Sequence, residues 1–166
     1  NLVYFFRNGF EIFGVDADPH AVASVRAIAT RLASRLPAEN FRVEPVERMS
    51  FDDASADAVL SSAVLHFAQD EQHFDAMVRE MWRVLKPGGL LFCRLASDIG
   101  METRMQRIEG RRFLLPDGSQ RYLVNEAILM DLTRQLGATL LDPVKTTVVQ
   151  DQRCMTTWVV RKALSV

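Results

Sequence analysis

The chain has 166 residues, enough for one proper core and too few for two independent ones. Hydrophobic residues make up 48% and charged residues 25%, the balance of a soluble globular protein, which excludes disorder and a coiled coil. Lys and Arg total 20 against 21 for Asp and Glu, and a net charge of -1 gives no electrostatic reason to bind nucleic acid or an anionic membrane. Small molecules or proteins are therefore the expected partners. No apolar run reaches the ~18 residues that span a bilayer, and the start lacks a charged region followed by a cleavage site. Cys93 and Cys154 lie far apart in apolar contexts and read as buried thiols, which fits a cytoplasmic setting.

In chain order, Asn1 to Asn8 reads as the latter part of a helix, with Leu2, Val3, Phe5 and Phe6 apolar and Asn8-Gly9 as its stop. Glu11 to Val15 is a nearly continuous apolar run, the pattern of a strand covered on both faces, and it ends in Asp16. Asp18 is the expected cap and Pro19 the first residue of a helix running to Leu36, where Pro37 ends it. Val22, Val25, Ile28, Ala29 and Leu32 give this helix its apolar stripe, and Arg26, Arg31 and Arg35 its wet side. Phe41 to Glu44 is a short strand broken by Pro45.

A polar turn containing Asp52, Asp53, Ser55 and Asp57 precedes a buried strand from Ala58 to Ser61 or Ser62. From Asp70 to Leu85, Phe74, Met77, Val78, Met81, Trp82 and Leu85 step by three and four, predicting an amphipathic helix that Lys86-Pro87-Gly88-Gly89 stops. A strand resumes over Leu90 to Leu95, completing a strand, helix, strand crossover. Residues 97–125 are polar, rich in Arg and Gly, and read as an irregular insertion with one short helix near Thr103 to Ile108. Asn125 caps a last helix, Glu126 to Leu136, closed by Gly137. Strands over Ala138 to Val149 and Gln152 to Arg161 follow, joined by a tight turn at Gln150-Asp151. The alternation predicts an α/β fold, mostly parallel, closed by an antiparallel hairpin strand and forming a single domain over 1–166. In such sheets ligands bind outside the carboxyl ends of the strands, which puts Asp16, Glu44 to Glu47 and Ser62 to His66 along one rim.

The ordered set Gly14-Val15-Asp16 before Asp18-Pro19, Phe51 followed by Ala56-Asp57-Ala58-Val59-Leu60-Ser61, Val64-Leu65-His66-Phe67, and Glu80 to Gly89 with the strand beyond resembles the class I S-adenosylmethionine-dependent methyltransferases. The small-molecule branch that includes tellurite-resistance methyltransferases is the nearest in pattern, over about the first 95 residues. The resemblance implies a Rossmann-like sheet of seven strands with helices on both faces and a reversed last hairpin. It places the residues from Asn1 immediately after a first strand and a glycine-rich loop, so both would lie upstream of Asn1. S-adenosylmethionine is the implied cofactor and a small-molecule methyl acceptor the implied partner.

Each site residue carries two readings. Asp16 is placed to accept from both ribose hydroxyls, against a plain turn or capping aspartate, with Ala17 then packing on the adenine face. Pro45 occupies the position where relatives carry an acid for the adenine amino group, so Glu44 or Glu47 substitutes or the contact is absent, while Val46 offers its backbone N–H. Ser62 and Ala63 permit close approach to the amino-acid portion of the cofactor, against ordinary small strand-end residues. His66 is the weak candidate for a catalytic base, and a pocket-wall histidine is the simpler reading. His20 and His73 read as helix-surface residues. No histidine pair has metal-ligand spacing, so no metal is expected. Arg104, Arg107, Arg111, Arg112 and Arg121 form an anion-binding surface or, more simply, a solvated face.

Methyl transfer from S-adenosylmethionine to a small acceptor is the leading expectation. A non-catalytic relative that binds a ligand or protein is the second, suggested by Pro45. A nicotinamide-dependent oxidoreductase is the third, and it requires a parallel last strand.

Overall fold

The computed structural model describes residues 2–164; Asn1, the first residue of the expected opening helix, lies outside them. The chain is an α/β fold that divides into two compact units, Asn1–Ser50 and Phe51–Val166.

The first unit begins with helix α1 (Leu2–Arg7), followed by strand β1 (Gly14–Asp16), helix α2 (Pro19–Leu32) and strand β2 (Phe41–Val43). β1 and β2 pair in parallel, Gly14 opposite Phe41 and Asp16 opposite Val43. The expected strand at Glu11 to Val15 is thus shorter and displaced. The Ile12 carbonyl accepts from the Asn40 side chain at 3.1 Å instead of joining the ladder, and β2 is too short to extend it. Nor is the strand covered on both faces, since Phe13 is 49% exposed while Ile12 is buried.

Asp18 caps α2 as expected, its carboxylate accepting from the His20 amide at 2.8 Å, with Pro19 in the first turn. The helix stops at Leu32, not Leu36. Leu36 precedes Pro37, which disfavours helical backbone there, and its amide bonds back to Ala33 in a separate turn at 2.9 Å. Arg26, assigned to the wet side, remains exposed but donates to the carbonyls of Ala38 and Phe41, tying α2 to the start of β2. Phe6, Val22, Ala29 and Phe41 pack into this unit's core, the Phe6 and Phe41 rings meeting edge to face at 6.0 Å.

The second unit carries the crossover: β3 (Ala56–Ser62), α3 (Glu71–Val84) and β4 (Leu85–Ser97), with β3 parallel to β4. α3 buries Phe74, Met77, Val78, Met81 and Val84, the face its spacing predicts. Lys86-Pro87-Gly88-Gly89 was expected to be a turn before the strand and is instead an irregular part of it. The ladder partner jumps from Leu85 to Leu90 while β3 advances from Ala56 to Ala58, so extra residues are absorbed on β4. Gly88 takes φ +78°, and a Cβ on Gly89 would meet Leu85 Cδ1 at 2.7 Å and the Lys86 carbonyl at 2.8 Å. Lys86 does not serve the helix end but donates to both carboxylate oxygens of Asp57 at 2.9 Å. The carbonyls of Trp82 and Leu85 accept from Lys162 instead, at 2.6 and 2.8 Å.

The 97–125 segment is ordered, correcting the expectation of an irregular stretch with a helix. It forms a three-stranded antiparallel sheet, β5 (Gln106–Glu109), β6 (Arg112–Leu114) and β7 (Gln120–Tyr122). The signals were turn residues inside short alternating runs: Gly110 at φ +52°, and Pro116-Asp117-Gly118 with Gly118 at φ +78°. Helix α4 (Glu126–Gln135) follows, capped by Asn125, whose side chain accepts from the Ile128 amide at 2.9 Å. The expected long strand after Gly137 is split into β8 (Thr139–Leu140) and β9 (Lys145–Val149), Pro143 lying between them.

The last strand, β10 (Arg153–Arg161), runs antiparallel to β4, β8 and β9. Gln150 and Asp151 turn the chain with φ +50° and +56°, the doubly left-handed geometry of a type I′ hairpin. The reversed strand removes the condition on which a nicotinamide-type doubly wound fold depended. Leu91, Cys93 and Leu95 of β4 and Trp158 and Val160 of β10 are at most 1% exposed. Truncating Leu91→Ala leaves a cavity where little can collapse, and urea unfolding should show a loss of about 2 to 5 kcal/mol. A loss below ~1 kcal/mol would mean that this strand pair is not the core.

Candidate functional site

In the first unit, β1 and β2 end side by side, the Glu44 amide donating to the Asp16 carbonyl at 3.1 Å. Asp16 and Ala17 thus stand at the carboxyl end of β1, and Val46 and Glu47 follow in the turn beyond the carboxyl end of the adjacent β2. Asp16 is exposed, and one of its carboxylate oxygens accepts from the Asp18 amide at 2.9 Å, fixing the side chain in a short turn. Turn aspartate and ligand acceptor are thus compatible roles, because a carboxylate has about four lone-pair sites.

Glu44 is turned back on its own loop. Its two oxygens accept from the Ser50 amide at 2.8 Å and the Ser50 hydroxyl at 2.5 Å. Desolvation raises its pKa, but those two bonds and Arg42 outweigh it, and the net direction is down. Val46 and Glu47 form a turn closed by the Arg48 amide on the Pro45 carbonyl at 3.1 Å.

In the second unit, β3 delivers Ser62 and Ala63, both exposed. Ala63 takes φ +62°, unusual for a residue with a Cβ, and its amide is held by the Arg94 carbonyl at 2.8 Å. Ser61, one residue earlier, is 3% exposed, and its hydroxyl has no hydrogen-bond partner among the described residues. A buried orphan hydroxyl at a strand end is a signal the sequence does not carry.

His66 follows on a single 3-10 turn, Leu65–Phe67, and is 7% exposed. Its Nδ1 accepts from the Ala96 amide at 3.3 Å, so the ring proton sits on Nε2. Burial, and then the charges of Arg121, Arg153 and Arg94, push its pKa down to about 4. A neutral ring that spends its basic nitrogen on a backbone amide is a pocket-wall donor and not a poised base.

His66 lines a cavity of about 290 Å³ with Phe67, Gln69, Arg112, Gln120, Arg121 and Tyr122. The last four come from β6 and β7. They were missed as cavity residues because the segment was read as irregular, although Arg112 and Arg121 were among the arginines singled out. His73, expected on the helix surface, is half-buried. Its amide donates to Asp70 and its Nδ1 accepts from the Gln69 amide, closing the start of α3 reciprocally. His20 is exposed as expected.

Both cysteines are buried and unbridged, and burial pushes the Cys93 thiol up to about 12 and raises Cys154 as well. Neither is a nucleophile at neutral pH. Among the described residues, no His, Cys, Asp and Glu group has metal-site geometry, and no helix is long and apolar enough to cross a membrane.

Residues 1–93 match a family described as a methyltransferase domain. No curated protein matches the sequence. Among solved structures, a SAM-dependent methyltransferase from Methanosarcina mazei aligns with a TM-score of 0.72 at 20% identity, covering 99% of this chain and 87% of that one. The 1,6-didemethyltoxoflavin-N1-methyltransferase of Burkholderia thailandensis, solved with 1,6-didemethyltoxoflavin and S-adenosylhomocysteine bound, aligns at 0.70 and 20% identity, covering 98% of this chain and 65% of that one. The cyclase SpnF aligns at 0.75 and 17% identity, covering 99% and 71%. These likenesses establish the Rossmann-like methyltransferase fold, and together with the family match they indicate S-adenosylmethionine as the cofactor.

The residues fit that cofactor at its ribose, where an exposed acceptor-only carboxylate, Asp16, stands at a strand end. They fit its adenine amino group less well, since Pro45 has no acceptor side chain and Glu44 is engaged by Ser50.

The depressed pKa of His66 sets a sign. Between about pH 4 and 6.5 the unfolded chain binds a proton at this ring that the folded chain does not, so stability falls as pH drops through that window. NMR titration should show the His66 ring neutral down to about pH 5, and His66→Gln should flatten the pH dependence of the urea midpoint. A ring that titrates near 6.5 contradicts this assignment.

Proposed function

Because the chain belongs to the methyltransferase-domain family over residues 1–93, we propose that it acts as one domain that transfers a methyl group from S-adenosylmethionine to a small-molecule acceptor. The observation that carries the reading is Asp16: an exposed carboxylate at the end of a parallel strand, locked by its own turn, in a chain of this family. Its second oxygen accepts from the ribose hydroxyls. Ala17 packs against the adenine face, the Val46 amide meets the ring edge, and Glu47 accepts from the adenine amino group. Ser62 and Ala63, with the Ser61 hydroxyl, line the amino-acid portion.

When bound, the cofactor supplies a sulfonium-activated methyl carbon, so the protein's work is alignment of the acceptor and exclusion of water. No protein nucleophile is required for that work. The roles of the second unit's residues follow. The strained backbone at Ala63 fixes the strand-end loop, and neutral His66 orients the acceptor by donating from Nε2. A non-catalytic ligand-binding role remains the second reading, favoured by Pro45 at the adenine position, and the cyclase among the fold's neighbours shows that this fold serves other chemistry.

Calorimetric titration with S-adenosylhomocysteine tests the proposal. The protein should bind it, and Asp16→Ala should weaken binding on the order of 10- to 100-fold, as loss of charge-assisted hydrogen bonds does. An absence of binding at millimolar ligand sinks the methyltransferase reading, and unchanged affinity in a folded Asp16→Ala variant removes Asp16 from the site.

A further inference from the structure

We propose that the cavity beside His66 selects an acceptor that carries a carboxylate on a small planar, aromatic body, with Arg112 and Arg121 as the charge partners. The inference rests on the methyltransferase reading and concerns the substrate class it serves.

The five arginines singled out in residues 97–125 have separate fates. Arg104 pairs with Asp151 at 2.8 Å, and Arg111 pairs with Asp98 at 2.6 Å in a half-buried contact while also donating to the Leu123 carbonyl. Arg107 lies over the Phe113 ring at 5.5 Å, away from the cavity wall. Arg112 and Arg121 line the cavity, and neither makes an ion pair among the described residues. Arg112 donates to the Gln120 side-chain oxygen at 3.0 Å, and Arg121 to its neighbour's carbonyl at 2.7 Å. Each guanidinium has five N–H donors, and these bonds use few of them.

Among the described residues, no carboxylate lines the cavity. Of the nearby acids, Asp98 pairs with Arg111, Asp70 caps α3, Asp117 accepts from Ser119 and lies 4.0 Å from Arg153 while acting on Arg121 through space, and Glu71 acts through space on Tyr122. Two guanidinium groups without a carboxylate in contact, beside a neutral histidine on which Arg153 and Arg94 also act, leave the cavity with a positive field. An anion supplies what it lacks.

The shape of the partner comes from the ring beside the charges. Phe67 is 58% exposed, and the Arg121 guanidinium stacks over it at 4.7 Å. Tyr122 is stacked on Phe74 at 4.8 Å, which keeps that wall rigid. A flat aromatic body fits against such a surface, and a fork-shaped guanidinium matches a planar carboxylate better than it matches a point charge. A volume of about 290 Å³ restricts the occupant to a small molecule.

The full chain is titrated with benzoate, benzamide and inorganic phosphate, with and without saturating S-adenosylhomocysteine, followed by NMR. Benzoate is expected to perturb the Phe67 and Tyr122 rings and to bind about 10-fold more tightly than the isosteric, uncharged benzamide. Arg121→Gln and, independently, Arg112→Gln should each reduce that preference several-fold without altering S-adenosylhomocysteine affinity, and Arg121→Lys should restore part of it. Equal binding of benzoate and benzamide, or of benzoate by the wild type and both glutamine variants, overturns the proposal. So does phosphate binding as tightly as benzoate, which would remove the planar component. Failure of S-adenosylhomocysteine binding alone strikes the methyltransferase reading and leaves the benzoate result to stand or fall on its own.

Discussion

The second unit is organised by one constraint, the burial of β4 between two partners of opposite direction. From Leu90 to Ser97 it pairs with β10 antiparallel, and over Leu90 to Arg94 with β3 in parallel. A strand hydrogen-bonded on both edges cannot shift its register without exposing alternate side chains, and here those are Leu91, Cys93 and Leu95, all essentially inaccessible. The loop after β3 inherits this rigidity, because the two groups that hold it belong to β4. The Arg94 carbonyl takes the Ala63 amide, and the Ala96 amide bonds the His66 ring. Backbone strain at Ala63 persists because its surroundings over-determine it.

Most of the helices and the crossover were legible in the sequence because their signals are local. Asp18 and Asn125 cap where their side-chain chemistry says they should, and the three- and four-residue steps of α3 report its buried face directly. What failed to show were arrangements decided by distant partners. The length of β1 depends on the Asn40 side chain taking the Ile12 carbonyl, 28 residues away in sequence. Lys86, next to the end of α3 in sequence, bonds Asp57, while the distant Lys162 reaches the carbonyls at that end, since only the fold decides which ammonium arrives there. The β5 to β7 sheet was obscured because its strands are three or four residues long and their polar alternation resembles a loop, although its glycine turns were visible.

The candidate site shows the same division. Asp16 could be singled out from position alone, because an acid at the end of an apolar run is a sequence-visible feature. The character of His66 could not, since it depends on burial, on the Ala96 amide and on arginines brought close by folding. The arginines teach a related lesson. Five similar residues in one segment divide into ion pairs, a ring contact and two cavity charges, and only the folded positions of Asp98, Asp151 and Phe113 separate them.

The indole of Trp158 gives the molecule an optical property. The side chain is completely enclosed, its N–H donates to the Thr133 hydroxyl at 3.0 Å, and that hydroxyl in turn bonds the Leu129 carbonyl within α4. Of the chain's two tryptophans, the other, Trp82, is half-buried on α3, with the Lys162 ammonium 5.5 Å from its ring centroid. One fluorophore therefore sits in a dry, fixed setting in the sheet core and the other beside a cation. The wavelength and intensity of emission report separately on the closure of β10 against α4 and on the tether between Lys162 and the end of α3.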